Sequence, residues 1–184
     1  MKFNINFTIP LRPISQMRPK FVRKTGRVYD PCYLEKKKYI SWIKRNILNI
    51  SKSQFNSQNY REKYNFKDQD NFMYLFSDKN SGEIEIKTQD KIDKISDLFP
   101  ISQPLRCDMI FSFSYFKTYF KANGDLKSKF VNATPKNDLD NVIKFTWDVM
   151  QDANLIQNDK LFTHVYAYKQ FSNDPNIWIR LYSR

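Results

Sequence analysis

Three carboxylates and one lysine are the residues of this chain best placed to do chemistry. Asp138 and Asp140 stand one residue apart in the run Asn137-Asp138-Leu139-Asp140-Asn141-Val142-Ile143-Lys144, and Asp159 follows Lys144 by fifteen residues. Carboxylates gathered into one place repel each other unless a cation sits among them, and a divalent ion meets that need. The donors are hard oxygens, which suit Mg²⁺, with Mn²⁺ as a substitute, and which exclude a soft-metal site. Mg²⁺ commonly shares one or two protein carboxylates with a substrate phosphate. The Lys144 ammonium could neutralise a phosphoryl oxygen or orient a nucleophile. Together these are parts for phosphodiester hydrolysis.

Taken singly, each residue also has a plainer role. Asp138 and Asp140 fall at the start of a helix, where carboxylates cap free N–H groups and oppose the helix dipole. Lys144 lies four residues after Asp140 and four before Asp148, ordinary spacing for surface ion pairs. If the acids are only caps, the cationic chain is better read as a binder of RNA or of an acidic protein.

The elements that must position these residues follow from hydrophobic spacing. Leu139, Val142, Ile143, Thr146, Val149 and Met150 share one arc of a helical wheel, and Asp140, Lys144 and Asp148 share the other, so the helix is expected to pack by one face and work by the other. Met109, Phe111, Phe113 and Tyr115 alternate with Asp108, Ile110, Ser112 and Ser114, which predicts a strand over 105–116. Two more strands are expected at 160–171 and 176–183, paired as a hairpin around Asn173-Asp174-Pro175. Phe3, Ile5, Phe7 and Ile9 predict a strand over 2–9, ended by Pro10 and Pro13, and residues 33–49 read as an amphipathic helix. The polar stretch 51–103 reads as an insertion holding a hairpin and a short helix near 89–98.

Thirty-one Lys and Arg against nineteen Asp and Glu give a formal charge of +12, which favours a polyanionic partner. Arg18, Lys20, Arg23, Lys24 and Arg27, interleaved with Phe21 and Tyr29, form a loop suited to phosphates and bases; Lys129 and Lys136 add charge from a lysine-rich linker. Cys32 and Cys107 make no metal-binding pair and are expected as reduced thiols. No apolar run is long enough to cross a membrane, and the first residues lack a signal peptide's apolar segment, so a cytoplasmic protein is expected, associated with the nucleoid if its source is bacterial or phage. His164 reads as a packed or exposed strand residue, and Trp42, Trp147 and Trp178 as core or dimer-interface aromatics.

The series Asp138-Leu139-Asp140-Asn141, Lys144, Asp148 and Asp159 resembles, without a gap in spacing, the signature of the RusA family of Holliday junction resolvases: Asp-x-Asp-Asn, then Lys, Asp and an Asp-Asp pair. Pro13, Arg18, Pro19 and Lys20, followed by Tyr29 and a helix, are similar to the family's proline- and arginine-rich opening segment. The likeness covers residues 1–50 and 105–184 and leaves the polar insertion outside. It implies one α+β domain over 1–184, a small mixed sheet with two main helices packed on it in the order β-α-β-α-β-β. It further implies a Mg²⁺-dependent, structure-selective endodeoxyribonuclease that resolves Holliday junctions and related branched DNA by paired nicks in recombination and repair. The family's homodimer suits this task, because paired nicks on strands related by a two-fold axis need two sites. On the resemblance, Asp138, Asp140 and Asp159 are the metal-binding catalytic carboxylates and Lys144 the catalytic lysine, with Asn141, Asp148 and Asn158 supporting them. Asn158 departs from the pattern, standing where the family carries the first acid of its Asp-Asp pair. The alternative this raises is a branched-DNA-binding protein with impaired catalysis.

Overall fold

Alternation between one buried and one open face builds the main sheet. In the computed structural model, which describes residues 3–48, 73–75, 84–88 and 98–183, strand β1 (Phe3–Ile9) buries Ile5, Phe7 and Ile9 and leaves Asn4, Asn6 and Thr8 half-buried. The same period-two pattern places Leu105, Cys107, Met109, Phe111 and Phe113 of β6 (Leu105–Ser114) in the core, with Ile177, Ile179 and Leu181 of β8 (Asn176–Tyr182).

Two helices cover the buried face. Helix α1 (Tyr33–Ile43), continued by a π-helical turn over Lys44–Leu48, buries Tyr39, Trp42, Ile43 and Ile47. Helix α2 (Leu139–Asp152) buries Val142, Phe145, Thr146, Val149 and Met150. Each fully buried large apolar side chain contributes roughly 1.5–3 kcal/mol. The edge of Tyr39 meets the Phe145 ring at 5.2 Å between centroids, and Trp42 stacks on Phe7 at 6.5 Å, so the helices and sheet share one core. Tyr33, at the start of α1, is exposed, with Lys37 over its ring.

The polar insertion joins this sheet. Strands β4 (Met73–Leu75) and β5 (Ile84–Thr88) form the expected antiparallel hairpin, and β5 pairs with β1. The short helix expected near 89–98 falls largely outside the described residues. The sheet runs β4-β5-β1-β8-β6-β7, with β7 spanning Phe162–Ser172. Within the basic segment expected to be a loop, β2 (Lys20–Val22) and β3 (Arg27–Tyr29) make a separate two-stranded hairpin with every residue exposed.

One expectation about the end of the chain needs correction. Strand β7 (Phe162–Ser172) and β8 are not a hairpin: β7 pairs with β6 in parallel, and β8 lies between β1 and β6, antiparallel to both. The turn around Asn173-Asp174-Pro175 does reverse the chain. The return strand pairs with β6 rather than β7, because a parallel β6-α2-β7 crossover has already placed β7 on the outer side of β6.

Candidate active site

The start of α2 is held by two other parts of the molecule. Asn137 Nδ2 donates to Ser15 Oγ at 2.9 Å, the Gln16 backbone N–H donates to Asn141 O at 3.0 Å, and Lys169 Nζ from β7 donates to Asn137 O. These bonds fix the helix start against both the basic segment and the sheet.

Two carboxylates project from that fixed start. Asp138 occupies the N-cap position with an extended backbone, yet its side chain makes no capping hydrogen bond; its Oδ2 accepts weakly from Asn141 Nδ2 at 3.5 Å. Asp140 lies in the first turn, open to solvent, with Lys144 Nζ 3.4 Å from its Oδ2. An exposed pair of this kind contributes little to stability. Capping therefore does not account for Asp138, and Asp140 and Lys144 are available to a ligand.

Asp148 has a different task. Its Oδ2 accepts from Gln16 Nε2 at 2.8 Å and from Lys36 Nζ of α1 at 3.0 Å, while Lys36 also lies 3.4 Å from Asp30. Burial by itself would lower the Lys36 pKa, but hydrogen bonding and attraction from Asp148, with Asp30 adding to them, outweigh burial and raise it. Asp148 thus ties α2 to α1 and to the root of the basic segment, and its bonds do not reach Asp138 or Asp140. Cys32 closes the other side of that root, accepting from the Met17 N–H at 3.4 Å through Sγ, and Tyr39 donates from its hydroxyl to Arg12 O.

From this anchored root the β2–β3 hairpin carries Lys20, Arg23, Lys24 and Arg27, with Arg18 just before it, all exposed beside exposed Phe21, Val28 and Tyr29. Gly26, at φ +66°, takes the left-handed conformation that the tight connection requires. Lys129 and Lys136 are exposed on the linker between β6 and α2. That linker is also aromatic, which a reading for lysines passes over: Tyr119 stacks on Phe130 at 3.8 Å and Tyr115 on Phe171 at 5.0 Å, fastening it to the end of β7. The recurrence of Tyr115, Phe116, Tyr119, Phe120 and Phe130 is the signal that marks it in the sequence.

Asp159 is not beside Asp138 and Asp140, contrary to the expectation that the three meet within one chain. It opens a short 3₁₀ turn (Asp159–Leu161) immediately before β7. At that end Trp147 stacks on Phe162 at 4.9 Å, and the Gln157 N–H donates to Ile101 O at 2.9 Å. The start of α2, by contrast, lies by Lys169, far along the same strand. A fourteen-residue helix is about 20 Å long, so the two sets of acids stand at opposite ends of it. Among the described residues no group of three or more His, Cys, Asp or Glu side chains is gathered as a metal site. The cause is the crossover: a helix joining parallel strands runs against them, so its start and the start of the next strand are apart.

Asn158, the departure from the signature, caps this turn: its side-chain oxygen accepts from the Lys160 N–H at 2.9 Å. Asn and Asp fill such a cap about equally. His164 is exposed on β7, and Trp178 is half-buried on the open face of the sheet.

A cationic α+β domain with acids and a lysine free at a helix start has the build of a protein acting on nucleic acid phosphates. The family model of RusA endodeoxyribonuclease matches residues 57–182, more than half of the 184-residue chain, and the chain belongs to that family. The match takes in much of the polar insertion, which the motif-based likeness leaves outside, and begins after α1. No curated protein matches the chain. No helix among the described residues is long and apolar enough to cross a membrane.

Proposed function

We propose that this chain is a single-domain, Mg²⁺-dependent, structure-selective endodeoxyribonuclease that acts as a homodimer in the cytoplasm, nicking four-way junctions and related branched DNA in recombination and repair. Membership of an endodeoxyribonuclease family supports the reaction class. The observation that carries the reading is the exposure of the carboxylates at the start of α2: Asp138 sits at a cap position without capping, and Asp140 is exposed and paired with Lys144.

The donor set fits a hard divalent ion, but one chain offers only two of the three carboxylates at one place. In this reading each metal site takes Asp138 and Asp140 from one copy and Asp159 from the other. A two-fold axis turns the α2–β7 unit end for end, which is the operation needed to bring the start of one helix to the end of the next. Bound there, the divalent ion would supply concentrated positive charge at the scissile phosphate. Lys144 Nζ, 3.4 Å from Asp140, can turn to a phosphate oxygen and offset its charge, and the free N–H groups of the helix start favour the same anion. The exposed cations Arg18, Lys20, Arg23, Lys24, Arg27, Lys129 and Lys136 would bind backbone phosphates without reading sequence.

A protein that binds branched DNA without turnover is the second reading, motivated by Asn158. The use of that side chain as a cap, a task open to Asn and Asp alike, supports the active form. The test is nicking of a synthetic four-way junction in Mg²⁺ by the wild type and by Asp140→Asn. The variant should lose on the order of 10²–10³-fold in rate. Equal rates, or tight junction binding with no cleavage by either chain, would end the nuclease reading.

A further inference from the structure

We propose that the linker between β6 and α2 carries a base-stacking site: the exposed ring of Phe116, braced by Tyr119 and Phe171, takes the face of an unpaired DNA base next to the phosphate bound at the start of α2. The choice of DNA as ligand rests on the nuclease reading above; the stacking surface itself does not.

The first argument is how the ring is presented. Phe116 meets Tyr119 at 5.2 Å and Phe171 at 6.4 Å between centroids, with interplanar angles of 65° and 69°. Tyr119 stacks in turn on Phe130, and Tyr115 on Phe171, so these inner rings fasten the linker to the end of β7. Phe116 is braced by them and still 55% exposed. A ring held in place by its neighbours, with its surface largely open, is preorganised for a flat partner. Phe21 and Tyr29 of the basic hairpin are exposed too, but on a two-stranded unit with every residue exposed, which fixes their positions less firmly.

The second argument is charge. Residues 115–137 hold five lysines and one acid. Asp125 accepts from Asn123 Nδ2 at 2.7 Å beside the turn at Gly124, and Lys127 Nζ donates to Thr118 O at 2.8 Å, so both serve the linker's own shape. Lys117, Lys121, Lys129 and Lys136 remain exposed, the first of them next to Phe116 in sequence. Aromatic rings among lysines suit a single strand, whose phosphates are neutralised while its bases stack whatever their sequence.

The third argument is position. Lys169 and Phe171 lie opposite Phe111 and Phe113 of β6, so they share the face of β7 that the helices cover and stand about 7 Å apart along the strand. Lys169 holds Asn137 O at the start of α2, and Phe171 braces Phe116. The stacking surface and the carboxylates Asp138 and Asp140 therefore share one end of the sheet. A continuous duplex keeps its bases stacked on one another and offers none to the ring, whereas an unpaired base is cheaply unstacked, so the site favours branched over linear DNA.

A short oligothymidylate carrying one 2-aminopurine, whose emission falls on stacking, tests the site in the full chain without divalent ion, so that cleavage does not enter. The wild type should quench the probe. Phe116→Ala should remove the quenching and weaken affinity for the single strand by at least about fivefold, while affinity for a blunt duplex changes by less than about twofold. Phe116→Tyr, which keeps the ring, should bind as the wild type does; Phe116→Leu, which keeps apolar volume without a ring, should bind as Phe116→Ala does. Leu34→Ala, at an exposed position of α1, should change nothing. No quenching by the wild type, equal weakening for the duplex, or a Phe116→Leu chain that behaves as wild type overturns the site; so does a Phe116→Ala chain whose only change is its oligomeric state. Quenching that depends on Phe116, without junction nicking by the wild type in Mg²⁺, would leave this site standing and remove the nuclease reading. Nicking with no quenching would do the reverse.

Discussion

The two ends of the α2–β7 unit are built to different standards. At the start of α2, a hydrogen bond from the Asn137 side chain to Ser15 and bonds from Gln16 and Lys169 to backbone carbonyls hold the chain around Asp138 and Asp140, and Asp148 locks the same helix to α1 through Lys36. At the other end Asp159 sits exposed on a 3₁₀ turn steadied by the Asn158 cap. The contrast teaches where a chain invests rigidity. The end with two acids and the lysine is fixed relative to the basic hairpin, while the end with one acid is presented outward.

The largest effect expected from this contrast is that the two ends fail alike. Asp159→Asn should lower junction nicking by on the order of 10²–10³-fold, as much as Asp140→Asn, with dimerisation and folding unchanged. If Asp159→Asn keeps near wild-type activity, the outward end has no part in the site.

Next in size is DNA affinity. Replacing Arg23, Lys24 and Arg27 by alanine together should weaken binding to branched and duplex DNA alike, and should reduce the slope of log K against log salt by about 0.9 for each phosphate no longer neutralised. Weakening confined to one DNA structure would mean that the hairpin reads shape rather than charge.

The smallest effect concerns the lock itself. Asp148→Ala removes the nearer of the two carboxylates that pair with a mostly buried ammonium, and the acceptor of Gln16, and should cost about 1–3 kcal/mol in denaturant unfolding. The pH dependence follows from the Lys36 and Tyr39 pKa values. Burial raises the Tyr39 pKa, and the carboxylates raise that of Lys36, so both groups hold their protons more tightly in the folded state. Their stabilisation is fully present below their unfolded values and is lost as the pH rises above about 10. The Asp148→Ala chain should lose less over that range than the wild type.

Much of this is legible from spacing. The strand pattern of β6 and the buried face of α2 follow from local periodicity, which survives into the fold. Phe145 falls outside the arc that spacing assigns to the core because α2 packs against α1 as well as the sheet, widening its apolar face to meet Tyr39. What is not legible is what depends on neighbours. Asn173-Asp174-Pro175 signals a reversal, but not that β8 returns beside β6 instead of β7. Asp148 has the spacing of a partner for Lys144, yet its carboxylate goes to Lys36, 112 residues away in sequence. Asp138, Asp140 and Asp159 are close in sequence and belong to consecutive elements, but a helix that runs against its strands separates their ends.

The most direct test of a site shared between chains is complementation. Asp140→Asn and Asp159→Asn chains, each inactive alone, are mixed and allowed to exchange subunits before a four-way junction and Mg²⁺ are added. The shared site predicts recovery to about a quarter of wild-type sites, since half the dimers are mixed and each mixed dimer holds one intact site, with single rather than paired nicks. A mixture as inactive as either parent, from dimers shown to have exchanged, would contradict it.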